Sequence, residues 1–284
     1  MSLHFGTVAV LGVGLLGGSV GLGLRSRGMV ERVRGVGHRR SSLEAALEVG
    51  AIDEAYLDIP QAVKDADLIV VCTPAAVIPE MLDVVREHCR SEATVTDVAS
   101  TKAVICAHVD ATWPKPFHFI GSHPMAGSEK FGPEYADPNL FEASTTIVVR
   151  RDKQDPKAFA RVCALWRGLG SRIVELAAEK HDAVLAVTSH IPHIVASCLA
   201  QMACETGDVK DVVGSGFRDM TRIAAGRAEV WRDICLTNRP GILDGLELLS
   251  ECIERTRRLV DEGAGKGLAQ FFEAGKAARQ KVVG

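Results

Sequence analysis

A glycine-rich turn close to the N-terminus is the feature that most constrains how this chain can fold. A short apolar run, Thr7-Val8-Ala9-Val10-Leu11, leads directly into Gly12-Val13-Gly14-Leu15-Leu16-Gly17. This motif binds a dinucleotide when it follows a strand and opens a helix. Gly12 permits the tight turn, Gly14 lets a pyrophosphate approach the backbone, and Gly17 lets the helix pack closely on the strand. The alternative is a glycine-rich turn without a ligand, but the strand–turn–helix context favours dinucleotide binding.

Apolar runs of strand character alternate with helix-forming segments as far as about residue 176. The strand candidates are Arg32–Val36, Asp67–Cys72, Thr94–Val98, Phe117–Ile120, Thr145–Val149 and Arg172–Leu176. A helix is predicted over Ser42–Val49, with Ser41 or Ser42 as its N-cap. Strands that alternate with helices predict an α/β fold, in which a twisted, mostly parallel sheet carries helices on both faces.

The second half of the chain shows helix signals in place of strand signals. After Leu176 there is no convincing strand, and helix formers dominate between breaks such as Gly207 and Pro240-Gly241. We therefore expect a dinucleotide-binding domain over residues 1–176 and an all-helical domain over residues 177–284. The segment Ala183–Ala203 is apolar nearly all round, so we expect it to be buried on all sides. A small helical domain cannot easily bury such a helix alone, which predicts a homodimer formed through the helical domain.

Composition and charge exclude several classes of protein. Apolar residues make up 47% and charged residues 24%, and the net charge of −3 gives no basic field for nucleic acid. The eight cysteines form no C-x-x-C pair, so we expect reduced thiols, no metal site and a cytoplasmic location. No signal peptide is recognisable at the N-terminus. His190, Pro192 and His193 argue against a membrane span, because imidazoles are costly in hydrocarbon. The expected partner is a small-molecule substrate.

The segment after the second strand candidate indicates which dinucleotide is bound. NAD-binding proteins usually place an acid there to hold the ribose 2′-hydroxyl. This chain has Gly37-His38-Arg39-Arg40-Ser41 instead, and the two arginines can pair with a 2′-phosphate. NADP is therefore favoured, and NAD stays possible. The alternative is a solvated basic loop, since other arginines lie nearby in sequence: Arg25, Arg27, Arg32 and Arg34.

A histidine is presented on a turn after a later apolar run. Gly121-Ser122-His123-Pro124-Met125-Ala126-Gly127 follows Phe117–Ile120. The carboxyl end of a strand in such a sheet is where a dehydrogenase keeps its proton acceptor. Since an unperturbed imidazole titrates near neutrality, His123 is the candidate base.

Several segments, taken in order along the chain, resemble the prephenate/arogenate (cyclohexadienyl) dehydrogenases. They are Gly12–Gly17, Cys72-Thr73-Pro74, Asp97-Val98-Ala99-Ser100-Thr101-Lys102, Ser122–Gly127, His181-Asp182, Ser189-His190-Ile191-Pro192-His193, Gly216-Phe217-Arg218-Asp219-Met220-Thr221-Arg222-Ile223-Ala224 and Trp231-Arg232-Asp233. The resemblance implies a Rossmann-type N-terminal domain and the oxidative decarboxylation of a cyclohexadienol in tyrosine biosynthesis. A hydride leaves for NAD(P)⁺, CO₂ departs, and the ring becomes aromatic, which gives 4-hydroxyphenylpyruvate from prephenate or tyrosine from arogenate.

The resemblance also assigns roles to individual residues. His123 matches the imidazole that bonds the substrate hydroxyl, and Ser100 matches a serine near that hydroxyl. Arg222 matches the arginine that binds a substrate carboxylate, and His193 matches an imidazole on the substrate side. A structural role is open for three of them: His123 as a turn histidine bonded to the backbone, Ser100 as the N-cap of a helix that starts at Thr101, and Arg222 in an ion pair with Asp219 or Asp233.

Other positions are expected at the site with more than one interpretation. Arg218 and Trp231 line the pocket or an interface, and His181 bonds the backbone or Asp182. Ser215 stands where many members have a glycine near the substrate side chain, so the choice of substrate stays open. A core histidine is a fair interpretation of His190 and a weaker one of His193. The expected cofactor-binding residues are Gly12, Gly14, Leu15, Leu16, Gly17, His38, Arg39, Arg40, Cys72, Thr73, Pro74 and Ser100.

Two other functions compete with this one. Another oxidoreductase of Rossmann-plus-helical-domain build, such as a β-hydroxyacid dehydrogenase or a pyrroline carboxylate reductase, typically has a lysine or a different proton donor in the helical half. This chain offers His193 and Arg222 there. A non-catalytic NADP-binding sensor would bind nucleotide without turnover. The residues do not separate prephenate from arogenate, and they do not say whether tyrosine inhibits.

Overall fold

A computed structural model describes residues 3–116, 118–127 and 130–284 of the chain. By their contacts the residues form two compact units, Met1–Arg239 and Pro240–Gly284. The first unit contains both sheets and the helices between them, and the second is helical. The boundary predicted between residues 176 and 177 marks a change from strands to helices, and it stays a prediction.

Six parallel strands form the main sheet, in the order β3-β2-β1-β4-β5-β6. The strand order reverses between β1 and β4, which is the point where such sheets open a crevice for a ligand. The Rossmann-type prediction is therefore confirmed. The strands are β1 (Phe5–Leu11), β2 (Val30–Val36), β3 (Glu54–Tyr56), β4 (Leu68–Val71), β5 (Thr94–Asp97) and β6 (Phe119–Ile120).

Helices cover both faces of this sheet, and the burial of β1 shows why its sequence is apolar throughout. Val8 and Val10 pack into one apolar cluster, whereas Ala9 and Leu11 pack into the other. Alternate residues of a strand point to opposite faces, so a sheet covered on both sides needs an uninterrupted apolar run. The covering helices are α1 (Leu15–Ser26), α2 (Arg40–Glu48), α3 (Ile59–Val63), α4 (Ile78–His88), α5 (Ala103–Thr112) and α6 (Pro156–Gly168).

A second sheet begins where the first one ends. The chain leaves β6 at Ile120, passes through Gly121 and enters β7 (Ser122–Pro124). β7 pairs antiparallel with β8 (Thr145–Val149), and β8 pairs parallel with β9 (Arg172–Leu176). This arrangement places His123 on a short strand at the junction of the two sheets.

The remaining elements are helical, and no strand follows Leu176 in the part of the chain that the structure describes. A long helix runs from Ala178 to Thr206 with a π-helical turn, Ala186–His190, in its middle. By length and composition alone this helix would also suit a membrane span. The helices are α7 (Ala178–Leu185), α8 (Ile191–Thr206), α9 (Ser215–Thr221) and α10 (Ala228–Thr237), followed by α11 (Arg239–Asp261) and α12 (Gly265–Val283).

One sequence prediction needs correction, and one strand was missed. The helix predicted from Ser42 begins at Arg40 with Arg39 at its N-cap, because Ser41 and Ser42 already lie inside the first turn. The short edge strand β3 was not predicted. Within one chain, Val187 and Met202 of the segment Ala183–Ala203 are exposed, so burial of this segment on all sides needs the expected second subunit and stays a prediction. Phe117, which belonged to a predicted strand, lies outside the described residues.

Candidate active site

The glycine-rich turn combines two tight positions with one open position. Gly12 has a φ of +98°, and a Cβ built there would lie 2.5 Å from the carbonyl oxygen of Cys72. A Cβ at Gly17 would lie 1.9 Å from the carbonyl oxygen of Gly12. Gly14 is the N-cap of α1, and apart from its chain neighbours no atom lies within 4 Å of a Cβ built there. The space beside Gly14 at the N-terminus of α1 is therefore open, which fits the close approach of a dinucleotide pyrophosphate.

The loop after β2 presents cations without counter-ions. His38, Arg39 and Arg40 are exposed. Within the described ranges neither arginine forms an ion pair. The nearby arginines, in contrast, are engaged: Arg25 with Asp53, Arg27 with Glu142, and Arg32 and Arg34 with Glu54. The interpretation as a solvated basic loop relied on these neighbouring arginines, but their charges are compensated by carboxylates, unlike those of Arg39 and Arg40.

The segment after β4 lies against the glycine-rich turn. The N–H of Cys72 donates to the carbonyl oxygen of Leu11, at the end of β1, over 2.6 Å. The Thr73 hydroxyl donates to the sulfur of Met81 over 3.2 Å, and Pro74 precedes a turn that leads into α4. The expected cofactor-binding residues on β1 and β4 thus meet at the carboxyl edge of the sheet.

His123 begins a line of buried hydrogen bonds. The His123 side chain is held on β7 and is 7% exposed. Its Nδ1 lies 2.9 Å from Nε2 of His181, a fully buried side chain on α7. His181 Nδ1 lies 2.7 Å from Oδ1 of Asp182. Of the two interpretations of His181, the contact with Asp182 is therefore the observed one.

The Asp182 side chain also caps α5, a helix far from it in sequence. Its two carboxylate oxygens accept hydrogen bonds from the backbone N–H groups of Lys102, over 2.7 Å, and Ala103, over 2.9 Å, at the start of α5. The capping interpretation of Ser100 is therefore wrong, because α5 begins at Ala103 and a carboxylate from α7 occupies the capping position. Ser100 is half-buried, and it has no hydrogen bond to any residue within the described ranges.

Burial keeps the imidazoles of this line neutral. It lowers the pKa of His123 well below the ordinary 6.5, and the nearby His181, Lys102 and His190 add to this effect because they repel a second positive charge. Burial also lowers the pKa of His181, although the Asp182 carboxylate opposes the shift. A neutral imidazole at working pH can accept a proton, as a base must.

A buried ion pair fixes the strand that carries His123. The ammonium of Lys102 contacts the carboxylate of Asp97, and both side chains are fully buried. Lys102 Nζ also donates to the carbonyl oxygen of Ser122 over 2.9 Å. Asp97 accepts from the N–H groups of Ser122, over 3.1 Å, and Ala99, over 3.0 Å. The end of β5 is thereby tied to the first residue of β7.

Asn238 links this line to a second pair of histidines. Its side-chain amide nitrogen donates to the carbonyl oxygen of Asp182 over 2.8 Å and to Nδ1 of His190 over 3.1 Å. Burial lowers the pKa of His190 to about 4. The His190 ring stands edge-on to Trp231, with ring centroids 6.3 Å apart. Trp231 in turn stacks on His193, with centroids 3.5 Å apart and planes inclined by 13°.

A cavity of about 370 Å³ lies beside the Trp231–His193 stack. Ala224, Gly226 and Arg232 complete part of its lining. His193 Nδ1 and His190 Nε2 are buried and have no hydrogen-bond partner among the described residues. Buried polar atoms without partners are uncommon in native structures, so this region is suited to receive a polar ligand.

Comparison with known proteins agrees with this architecture. Residues 20–175 match the nucleotide-binding domain of prephenate dehydrogenase, and residues 177–274 match its dimerization domain. The chain belongs to the prephenate dehydrogenase family. The resemblance inferred from the sequence motifs is therefore confirmed, together with the two-part fold and the class of oxidoreductase.

Individual members of the prephenate dehydrogenase family cover almost the whole chain. Prephenate dehydrogenase of Bacillus subtilis is 34% identical over 278 residues, which is 96% of this chain and 75% of that protein. The structure of prephenate dehydrogenase from Aquifex aeolicus with hydroxyphenyl propionate and NAD⁺ has a TM-score of 0.92 at 29% identity, over 99% of this chain and 100% of that one. Synechocystis arogenate dehydrogenase has a TM-score of 0.83 at 29% identity, over 97% and 99%.

No hydrogen bond in the described part of the chain joins the residues that the family resemblance assigns to substrate binding into one cluster. Arg222 is exposed, and it has no ion pair in the described part of the molecule. The alternative pairing with Asp233 is not observed, because Asp233 pairs with Arg232 over 2.7 Å. Arg218 donates to the carbonyl oxygen of Val213 over 2.6 Å, and Ser215 is the exposed first residue of α9. No hydrogen bond joins these residues to His123 in the described ranges.

Sequence reasoning missed three contributors to the site. Lys102 and Asp97 stand in a segment that the family shares, but no local pattern indicates that their charges are buried together. Asn238 lies outside every motif, yet it connects Asp182 to His190. A polar residue at the end of an amphipathic helix was the only available signal for Asn238.

Proposed function

We propose that this family member catalyses the NAD(P)⁺-dependent oxidative decarboxylation of prephenate, arogenate or both. The observation that carries the proposal is His123, a neutral imidazole with one nitrogen held by His181 and the other without a partner among the described residues. A general base needs this arrangement, in which one nitrogen is fixed and the other keeps its lone pair for the substrate proton. The names of the relatives support both substrates.

The proposed mechanism assigns His123 the hydroxyl proton of the substrate. The C–H bond of the carbinol breaks with loss of a hydride, for which a bound nicotinamide supplies the acceptor. The bond to the ring carboxylate then breaks, CO₂ leaves, and its electron pair completes the aromatic ring. The proton held by His123 returns to the phenolate oxygen, which gives the phenol and restores the neutral imidazole. Ser100 orients the hydroxyl beside His123, Arg222 holds a substrate carboxylate by a two-pronged contact, and His193 contacts the substrate on the same side. Arg218, Ser215 and Trp231 complete the proposed pocket.

The substrate assignment is tested by the absorbance of the reduced nicotinamide. Prephenate and arogenate are each combined with NADP⁺ and with NAD⁺, and kcat/KM is measured for all four combinations. We expect turnover of at least one substrate. An enzyme that turns over neither of them, but oxidises a β-hydroxy acid, would reassign the chain to the competing class.

We propose NADP⁺ as the favoured cofactor, supported by the uncompensated charges of Arg39 and Arg40. A charge-assisted hydrogen bond to a phosphate contributes about 1.5–3 kcal/mol. Arg39→Ala should therefore reduce kcat/KM for NADP⁺ by roughly tenfold or more and leave that for NAD⁺ nearly unchanged. Arg32→Ala is the matched control, because Arg32 lies on β2 but is paired with Glu54. Equal or better use of NAD⁺ by the unaltered enzyme refutes the preference.

We also propose a cytoplasmic homodimer formed through the helical domain, residues 177–284. Apolar side chains are left exposed on this half of one chain: Val187 (56%), Met202 (61%) and Leu236 (65%). Such exposure is typical of a surface that a second copy covers. The match to a dimerization domain supports this assembly. Sedimentation equilibrium should give twice the chain mass, and a monomer at micromolar concentration contradicts the proposal.

A further inference from the structure

The hydrogen bonds around Asp182 have a defined direction. Backbone N–H groups can only donate, so the Asp182 carboxylate accepts from Lys102 and Ala103. It lies at the N-terminus of α5, where the helix dipole favours a negative charge. The remaining contact, with His181 Nδ1, therefore has the carboxylate as acceptor and the imidazole as donor. This places the single ring hydrogen of neutral His181 on Nδ1.

The same reasoning extends from His181 to His123. With its hydrogen on Nδ1, His181 carries a lone pair on Nε2, which faces Nδ1 of His123 at 2.9 Å. Two lone pairs would repel each other at that distance, so His123 must donate. We propose that Asp182 and His181 are positioning residues that hold His123 in its Nδ1–H tautomer and so keep Nε2 as the proton acceptor. The catalytic consequence rests on the function proposed above.

The opposite arrangement is disfavoured on both sides of His181. If His181 donated from Nε2, its Nδ1 lone pair would face the Asp182 carboxylate at 2.7 Å. Because His181 is fully buried, water cannot relieve that repulsion. In an Nε2–H tautomer of His123 the lone pair lies on Nδ1, which faces His181, so Nε2 cannot accept a substrate proton. The tautomer therefore decides whether the base works, and two residues that do not touch substrate decide the tautomer.

Burial and the ionisable side chains near His123 limit how readily its imidazole accepts a proton. Lys102, His181 and His190 all lower the pKa of His123, as burial does. The Asp182 carboxylate, reached through His181, is the compensating charge when His123 becomes an imidazolium. Positioning and charge compensation therefore come from the same Asp182–His181 pair, as in other catalytic groups where a carboxylate orients an imidazole.

Ring-nitrogen NMR tests the tautomer without measuring activity. In full-length protein labelled with ¹⁵N-histidine, the His123 signals are assigned from their loss in His123→Asn. We expect Nδ1 to show the shift of a protonated nitrogen and Nε2 that of a nitrogen with a lone pair. The reverse pattern in the unaltered protein overturns the proposal. This measurement decides the tautomer even if neither prephenate nor arogenate is turned over.

Substitutions at His181 test the consequence for catalysis. His181→Met removes the acceptor, whereas the side-chain oxygen of His181→Gln can take the place of Nε2. We expect the methionine variant to lose at least about tenfold in kcat, with KM changed less than threefold, and the glutamine variant to recover most of the loss. His108→Met is the matched control, because His108 also bonds a carboxylate, that of Asp83 on α4, but has no hydrogen bond to His123, His181 or Asp182, and it should behave as the unaltered enzyme. Equal losses in both His181 variants overturn the proposal.

Discussion

Removing the ammonium of Lys102 should destabilise the first unit far more than its single charge suggests. Lys102→Met keeps most of the side-chain volume, so little cavity forms. It leaves the fully buried Asp97 carboxylate with two N–H donors but no cation, and it removes the donor to the carbonyl oxygen of Ser122. Breaking a buried pair by removing one partner costs about 3–5 kcal/mol. We expect the free energy of unfolding to fall by that amount, a large share of the roughly 5–15 kcal/mol that proteins have.

The assay is urea unfolding followed by tryptophan fluorescence at one protein concentration. Trp166 is a suitable reporter because its indole N–H donates to the Ser122 hydroxyl over 2.9 Å. Lys276→Met is the matched control, since Lys276 is 66% exposed in its ion pair with Glu273 and should leave the midpoint unchanged. The double variant with Asp97→Asn should lose less than the two single losses added together. A loss below about 1 kcal/mol for Lys102→Met refutes the reasoning.

Four further predictions concern catalysis and the glycine-rich turn. Because the pKa of His123 is lowered, log(kcat/KM) should decrease on acidification only below pH 6.5. An acidic limb of the pH profile with its midpoint at or above pH 6.5 contradicts this. His123→Asn should reduce kcat by about 10²–10⁴-fold while a titration still shows substrate binding. Arg222→Ala should chiefly raise the substrate KM, so an unchanged KM argues against its role. Gly17→Ala should lower the free energy of unfolding by about 1–3 kcal/mol or more in a urea titration. Gly14→Ala should unfold as the unaltered protein does, but initial rates should show a cofactor KM raised by about tenfold.

Much of the α/β half could be predicted because its signals are local. A parallel strand covered on both sides needs a continuous apolar run, so β1, β4 and β8 are visible in the sequence. The edge strand β3, Glu54-Ala55-Tyr56, has three residues and no such run. The sequence misplaces the start of α2 because Ser41 and Ser42, which have capping chemistry, lie two and three residues after the observed N-cap, Arg39. Local pattern thus locates an element more reliably than it locates its first residue.

The site could be predicted only where a motif carries it. His123 and the glycine-rich turn are motif residues, and their surroundings in the structure suit the expected roles. The cap that Asp182 places on Lys102 joins positions 80 residues apart, so no local signal could reveal it. The buried contact between Lys102 and Asp97 is equally invisible in the sequence. Its desolvation penalty and its Coulomb energy depend on the dielectric of the core, which exists only in the folded chain.

The π-helical turn at Ala186–His190 has a consequence for how far sequence length can vary. His181 and His193 are twelve positions apart, which at about 100° per residue leaves them about 120° out of phase on a regular α-helix. The π turn absorbs one additional residue and removes about 100° of that angle. Both imidazoles consequently project from nearly the same side of one continuous helix. Deleting one residue inside the π turn would leave the histidines eleven positions apart, about 20° out of phase on a regular α-helix, so this stretch should tolerate that deletion. Inserting one more residue would turn the two histidines about 120° apart, so an insertion should not be tolerated.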